Sequence, residues 1–264
     1  MTERQRYDTD LSDAEWDILK AYIPSPLAGG RPNVHERREI VNAIRYILRT
    51  AAAWHLLPHD FPPHKTVYDY FRQWRRHGVW ETANAALREQ VRQQMGRSGE
   101  PQRAMIDSQS VKTTEEGGPR GFDGGKRVKG RKRHLVVDSQ GLLLVAVVHS
   151  TGIQDPAGAR LVLPHLHACG FSSLDQIYAD NIYKGSLVGW VKDQFGWTLD
   201  VITRDPAQKG FVVQKGRWVI ERTFAWLGRY RRLSKDYEAL AETSQALIYM
   251  AMTFLMTHRL ALTH

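Results

Sequence analysis

Arg133-His134-Leu135-Val136-Val137-Asp138-Ser139-Gln140-Gly141-Leu142-Leu143-Leu144-Val145-Ala146-Val147-Val148 is the stretch that decides the fold class. Two predicted strands, 133–137 and 142–148, flank Asp138-Ser139-Gln140-Gly141, which places glycine at the last loop position of a hairpin turn. The second run is apolar throughout, as expected of a strand covered on both faces. Upstream, Arg103-Ala104-Met105-Ile106-Asp107 reads as a short strand ending in a carboxylate. Downstream, Asp155 reads as an N-cap with Pro156 in the first turn of a helix reaching about residue 168. A strand over 176–180, a helix over 185–195 and a strand over 197–203 follow. Hairpin strands succeeded by alternating helices and strands predict a mixed sheet with helices on its faces, an α/β fold.

After a loop over 204–216 comes Arg217-Trp218-Val219-Ile220-Glu221-Arg222-Thr223-Phe224-Ala225-Trp226-Leu227-Gly228-Arg229. Ile220, Thr223, Phe224 and Leu227 recur at helical spacing and form one apolar stripe. Glu221 sits within a turn of that stripe, four residues after Arg217, so the plain reading is an i, i+4 ion pair on a solvated face. Two upstream aspartates favour a different one. In a mixed sheet Asp107 and Asp180 end strands, and the Glu221 helix packs against them. Three close carboxylates repel unless cations neutralise them, and an all-oxygen cluster suits Mg²⁺ or Mn²⁺. Two such ions about 4 Å apart serve phosphoryl transfer. Asp138, Asp155, Asp175, Asp200 and Asp205 are rival carboxylates; the first two have structural work as turn residue and N-cap, and Asp205 sits in an Arg-Asp-Pro turn. A last long helix over 241–262 is apolar on Leu247, Met250, Ala251, Phe254 and Leu255.

The chain has 264 residues, 42% hydrophobic and 25% charged, the balance of a soluble globular protein with room for one large domain or two smaller ones. Its net charge of +9 points to a polyanionic partner, most simply nucleic acid. Cys169 is alone, which excludes a disulfide framework and a cysteine zinc site. The opening Met-Thr-Glu-Arg-Gln-Arg lacks the apolar core of a signal peptide, and the apolar run 246–256 is too short to span a bilayer. A cytoplasmic protein without a membrane is the expectation. Between the first two strands, positions 126–133 hold six Lys or Arg among glycines, including Lys126, Lys129, Arg131, Lys132 and Arg133. So dense a run repels itself without an anionic partner and reads as a phosphate-binding loop. It lacks the Gly-Lys-Ser/Thr of a P-loop. His165 and His167 fall at i, i+2 in a predicted helix and face apart, while His55, His59 and His64 scatter through a Pro-rich turn; none of these is read as a metal ligand.

The first hundred residues read as helical. Ser12 and Glu15 make a capping box, with Trp16, Leu19 and Ile23 on one face of the helix that follows. Residues 24–32 form a loop, 34–50 a second helix with Ile40, Ile44, Ile47 and Leu48 as its stripe, and 66–76 a short basic, aromatic-rich helix. Two readings stand here: a helix-turn-helix that offers Lys65, Tyr68, Arg72 or Arg75 to bases, or a plain helical subdomain whose arginines keep it soluble. A linker over 94–102 divides a helical region 1–95 from a strand-rich region 103–264.

Several of these stretches together resemble the DDE transposases of the insertion-sequence-five family. They are Met105-Ile106-Asp107-Ser108-Gln109-Ser110-Val111-Lys112, the basic stretch, 134–144, Tyr178-Ala179-Asp180-Asn181-Ile182-Tyr183 and Glu221-Arg222-Thr223-Phe224-Ala225-Trp226-Leu227. The resemblance covers nearly the whole chain. It implies a ribonuclease-H-like domain behind a helix-turn-helix-like N-terminal domain, with Asp107, Asp180 and Glu221 as catalytic and metal-binding triad. It also implies Mg²⁺ or Mn²⁺ as a pair of ions, and cleavage at the ends of an insertion sequence with transfer of the 3′-hydroxyl ends to target DNA. The 40 residues between Asp180 and Glu221 leave no room for the β insertion some relatives carry. The wider signature sets Tyr, Arg, Glu and Lys at fixed spacing; Arg217 and Glu221 fit it, but Gln214 and Gly228 stand at the Tyr and Lys positions, with Arg229 one further. Expected partners are double-stranded DNA, as terminal inverted repeats and target, and a second copy of the chain in the active complex. Lys126, Lys129, Arg131, Lys132, Arg133, Arg217, Arg222, Arg229, Arg72 and Arg75 are the expected DNA contacts. The alternatives are a metal-dependent nuclease on the same fold and a DNA-binding regulator without chemistry.

Overall fold

The apolar hairpin forms as its turn chemistry dictates. In the computed structural model, which describes residues 4–25, 34–116, 118–202 and 217–262, strands β3 (Val128–Asp138) and β4 (Leu143–Ser150) pair antiparallel. Asp138 accepts bonds from the amides of Gln140 and Leu142, and Gly141 adopts φ 78°, a conformation that penalises any side chain. β3 also pairs antiparallel with β1 (Arg103–Lys112), which runs parallel to β5 (Gln176–Asp180), itself parallel to β6 (Thr198–Ile202). The short β2 (Gly121–Asp123) lies beside the first residues of β3. The order β4-β3-β1-β5-β6, with β3 alone reversed, is the expected ribonuclease-H-like mixed sheet.

Helices cover both faces. α5 (Asp155–Ala168) and α6 (Ser186–Phe195) bury one apolar cluster that includes Ala104, Ile106, Val136, Ile177 and Leu199. The other face, with Met105, Leu135 and Val137, packs under α7 (Arg217–Gly228) and α8 (Ala241–Ala261). α8 is apolar on nearly every side, and α1 (Asp13–Leu19) and α4 (Val79–Gln94) close its remaining faces. One continuous cluster therefore runs from Leu11 and Trp80 through α8 to the sheet. The capping box at Ser12 and Glu15 is present, and Glu15 also binds Arg45 on α2 (Arg37–Thr50) and His258 on α8.

Three expectations about the sheet and its first helix need correcting. Asp107 lies within β1, because Ser108–Lys112 continue the ladder against the basic half of β3 (Ser110 opposite Lys132, Lys112 opposite Gly130). In the stretch 126–133, read as a phosphate-binding loop, positions 128–133 are strand. Asp155 is the first helical residue of α5, after the N-cap Gln154, and its carboxylate is turned to Ser108 and Lys132. In the N-terminal region, residues 51–63 link α2 to the basic helix α3 (His64–Arg76), a longer link than the three or four residues of a helix-turn-helix. The tight turn, with Gly78 at φ 63°, follows α3 and leads into the core helix α4.

Candidate active site and nucleic-acid surface

Strand register sets the first two carboxylates. Met105 stands opposite Tyr178 in the parallel ladder of β1 and β5, so two residues further on Asp107 and Asp180 come level, on the same sheet face. Asp107 accepts a bond from the Ser108 amide at 2.7 Å, and Asp180 caps the 3-10 turn Asn181–Tyr183 by accepting from the Ile182 amide at 3.0 Å. α7 packs over β1 and β5, and its Ile220 lines one small hollow with Asp107, Asp180, Tyr178 and Ile202. Glu221, the next residue of α7, is solvent-exposed. Among the described residues no three His, Cys, Asp or Glu groups stand close enough together to hold a metal ion. The fold brings two carboxylates level and lays the helix of the third above them, without closing the set. The donor chemistry, all oxygen and half-solvated, fits a hard divalent cation.

Two anchoring networks hold these elements. Tyr183, at the end of the turn capped by Asp180, is buried and donates its hydroxyl to Nε2 of His134 at 2.9 Å. Nδ1 of His134 meets Nε2 of His149 at 3.3 Å, and Nδ1 of His149 reaches the Ser150 carbonyl at 3.0 Å. Burial lowers the pKa of both imidazoles and keeps them neutral; since the Ser150 carbonyl only accepts, the protons then run one way, from Tyr183 through His134 and His149 to Ser150. Burial holds His134 down at about 3, and burial followed by Asp107, Asp155 and Asp180 pushes the Tyr183 phenol well up. The second network ties α7 to the hairpin turn. Thr223 Oγ1 donates to the Gly141 carbonyl and Arg222 to that of Gln140, each at 2.8 Å, and a side chain at 141 would press on Thr223 and the Trp226 ring. Buried Arg92 on α4 pairs with Asp138 beneath the turn.

The expected DNA contacts divide sharply. Lys126, on the turn between β2 and β3, and Lys129, on β3, are exposed. Arg131, Lys132 and Arg133 are buried, which removes them from the phosphate-binding reading. On β3 their side chains enter the interior by alternation. Arg131 pairs with Asp236 and donates to the carbonyls of Pro119, Glu238 and Ala239. Arg133 donates to those of Leu233 and Lys235, and Lys132 pairs with Asp155 at 2.8 Å. Arg222, half-buried between Trp218 and Trp226, is a strut for the turn rather than a free cation. Arg229 is exposed; the side chains of Arg217 and Gln214, and Asp205, lie outside the described residues. Arg72 is exposed, 3.7 Å from Asp69, whereas Arg75 donates to Thr243 of α8. Among the rivals, Asp138 and Asp155 are bound as described and Asp200 accepts from Gln176. His165 and His167 are exposed, with His167 against Phe195 and Trp197. The His134–His149–Tyr183 chain leaves a faint signal in the sequence, one histidine where β3 turns from basic to apolar and another near the end of apolar β4.

Comparison with known proteins agrees with this architecture. Residues 98–256 match the family described as "Transposase DDE domain", and residues 11–84 that described as "Putative transposase of IS4/5 family". The "Putative transposase for insertion sequence element IS402" of Burkholderia cepacia is 28% identical over 125 residues, 45% of this chain and 59% of that protein. The chain therefore spans less than two thirds of that relative's length.

Proposed function

The chain belongs to the IS4/5-type DDE transposase family, and from that premise we propose that it cuts the ends of an insertion sequence and joins their 3′-hydroxyls to target DNA. The observation that supports this most is the register that sets Asp107 and Asp180 level on one sheet face under the helix of Glu221. Those three carboxylates would hold Mg²⁺ or Mn²⁺, as one ion or a pair. A bound ion there supplies a Lewis acid that makes a hydroxyl or water nucleophilic and neutralises charge gathering on the phosphate.

The chain's own residues supply the positioning. Tyr183, held by neutral His134, fixes the turn that follows Asp180. Thr223 and Arg222 fix the height of α7, and with it Glu221, against the hairpin turn. Lys126, Lys129 and Arg229 present exposed cations to the phosphate backbone, and Arg72 extends that charge to α3. Neither cutting nor joining needs a covalent bond to the protein, so no nucleophilic side chain is required. Because each DNA end needs its own site, the active complex is a dimer of this chain on double-stranded DNA.

The decisive variant is Asp107→Asn. It is expected to keep DNA-end binding while cleavage falls by about 10²–10³-fold, an effect of the size seen when a catalytic electrostatic group is lost. Mn²⁺ should raise the thermal midpoint of the unaltered chain and leave that of Asp107→Asn unmoved. Near-normal cleavage by the variant would overturn the assignment. Cleavage by the unaltered chain without joining of a pre-cut end would leave a nuclease instead.

A further inference from the structure

We infer that Phe122 is an apolar wedge that enters the base stack of bound DNA about six base steps from the cutting site. The inference rests on DNA being the substrate as proposed above. Phe122 is 60% exposed, an unfavourable place for a large aromatic ring unless a partner covers it. Its surroundings are cationic. It stands opposite Lys129 across the β2–β3 ladder, so both side chains leave the same face, and Arg127 is exposed on the turn joining the two strands; Lys126 of that turn donates its Nζ to the Ser108 carbonyl at 3.3 Å instead. An aromatic ring ringed by Lys and Arg matches a partner with stacked bases inside a phosphate backbone; an apolar protein surface would have no use for the charges.

The arm that carries the ring is built to be stiff. A Cβ on Gly121 would come within 2.4 Å of Ser150 and Gly152, and one on Gly130 within 1.9 Å of the Val111 carbonyl, so the base of the arm is seated directly on its neighbours. Asp123 then holds the turn, accepting from Ser110 at 2.7 Å and from the Lys126 amide at 3.0 Å. Arg131 binds the Pro119 carbonyl on the approach to β2. A ring presented this way loses little freedom on binding.

Register also gives the separation. Asp107 stands opposite Leu135 and Phe122 opposite Lys129, and the odd-numbered positions of β3 share one face, so Phe122 and Asp107 look out on the same side of the sheet. The six residue steps from 129 to 135 span about 20 Å along β3 at about 3.3 Å per step. A duplex advances about 3.4 Å per base step, so the same span covers about six steps. Residues Leu233 to Ala239 roof Arg131 and Arg133 in between, and a duplex laid over that face meets Phe122 past the roof's edge.

The test uses the full chain and two duplexes of identical length and sequence, one fully paired and one with two adjacent mismatched bases, titrated without divalent metal. The unaltered chain should bind the mismatched duplex about tenfold or more tighter, the worth of one stacked base. Phe122→Ala should remove that preference, leave the paired-duplex affinity within about twofold and leave the salt slope unchanged, since no charge is lost. Phe122→Trp should restore the preference. Equal binding of both duplexes by the unaltered chain, or a preference that survives Phe122→Ala, overturns the wedge while leaving the transposase reading intact. A variant that alters only self-association marks Phe122 as a contact between copies and overturns it as well. If neither duplex binds, the DNA reading fails and the wedge with it.

Discussion

Arg131 and Lys129 are two residues apart, equally basic, and opposite in consequence. Lys129 projects into solvent; Arg131 is sealed against Asp236 and three carbonyls. Lys129→Gln should leave stability within about 0.5 kcal/mol and flatten the salt dependence of DNA binding by about one unit. Arg131→Gln should cost about 3–5 kcal/mol, because it strands the Asp236 carboxylate in the interior, and denaturant titration beside a binding salt series separates the two. Charge density alone was visible in the sequence, and it does not say which cations a strand turns inward. The placing of Asp107 and Asp180 on strands was legible because apolar runs mark the strands that carry them. His134 was not, although it makes a sharp prediction. Its folded value of about 3 lies below the 6.5 of the unfolded chain, so the unfolded state binds the extra proton. Stability is therefore complete above about pH 6.5 and lost as the pH falls toward 3, by about 2 kcal/mol between pH 7 and pH 5. His149 adds in the same direction. Urea unfolding of His134→Gln at both pH values should show a shallower loss; an unchanged one would mean that His134 is protonated in the fold.

At the scale of elements, the hairpin, α5 and the alternation that follows were readable because turn chemistry and apolar runs are local properties. The extent of β1 was not local. Ser108 to Lys112 look polar and loop-like, and only pairing with β3 keeps them in the sheet. The docking of α7 was likewise invisible, since it depends on the hydroxyl of Thr223 meeting a carbonyl 82 positions away. That bond separates catalysis from binding. Thr223→Val keeps the shape of the side chain and loses the donor, leaving the buried Gly141 carbonyl one bond short at a cost of about 1–3 kcal/mol. If the bond sets the height of Glu221, cleavage should fall by about 10-fold or more while DNA affinity stays within about twofold. A parallel fall in affinity and cleavage would make Thr223 a residue of the fold only. Gly141→Ala should do more damage, since it strains a backbone at φ 78° and presses on Thr223 and Trp226 together.

At the scale of the whole molecule, composition points to a division that the packing does not follow. The polar, Gly-containing stretch 94–102 reads as a linker, yet it is pinned at several points. Arg92 donates to the carbonyls of Ser98 and Glu100, and Glu100 accepts from Ser172 and Ser173 beyond α5. Buried Arg88 donates to the Leu143 carbonyl and Arg92 pairs with Asp138, so α4 is bolted to the hairpin of the sheet. Trp80 of α4 packs on Phe254 of α8, whose other sides meet the sheet and α1. A core shared in this way melts as one unit, since neither half keeps its apolar faces covered without the other. Phe254→Ala should therefore lower the stability of the whole chain by about 3–5 kcal/mol, in a single transition seen alike by helix signal and by tryptophan emission. The fragment 1–95, cut from α8, exposes Leu87, Val91 and Trp80 and should show no cooperative unfolding of its own. A fragment that did unfold cooperatively, with a sharp midpoint, would show that the N-terminal helices hold a core independent of α8. Sequence recognition by that region should accordingly be measured in the full chain, where α3 is held by the Arg75 bond to Thr243.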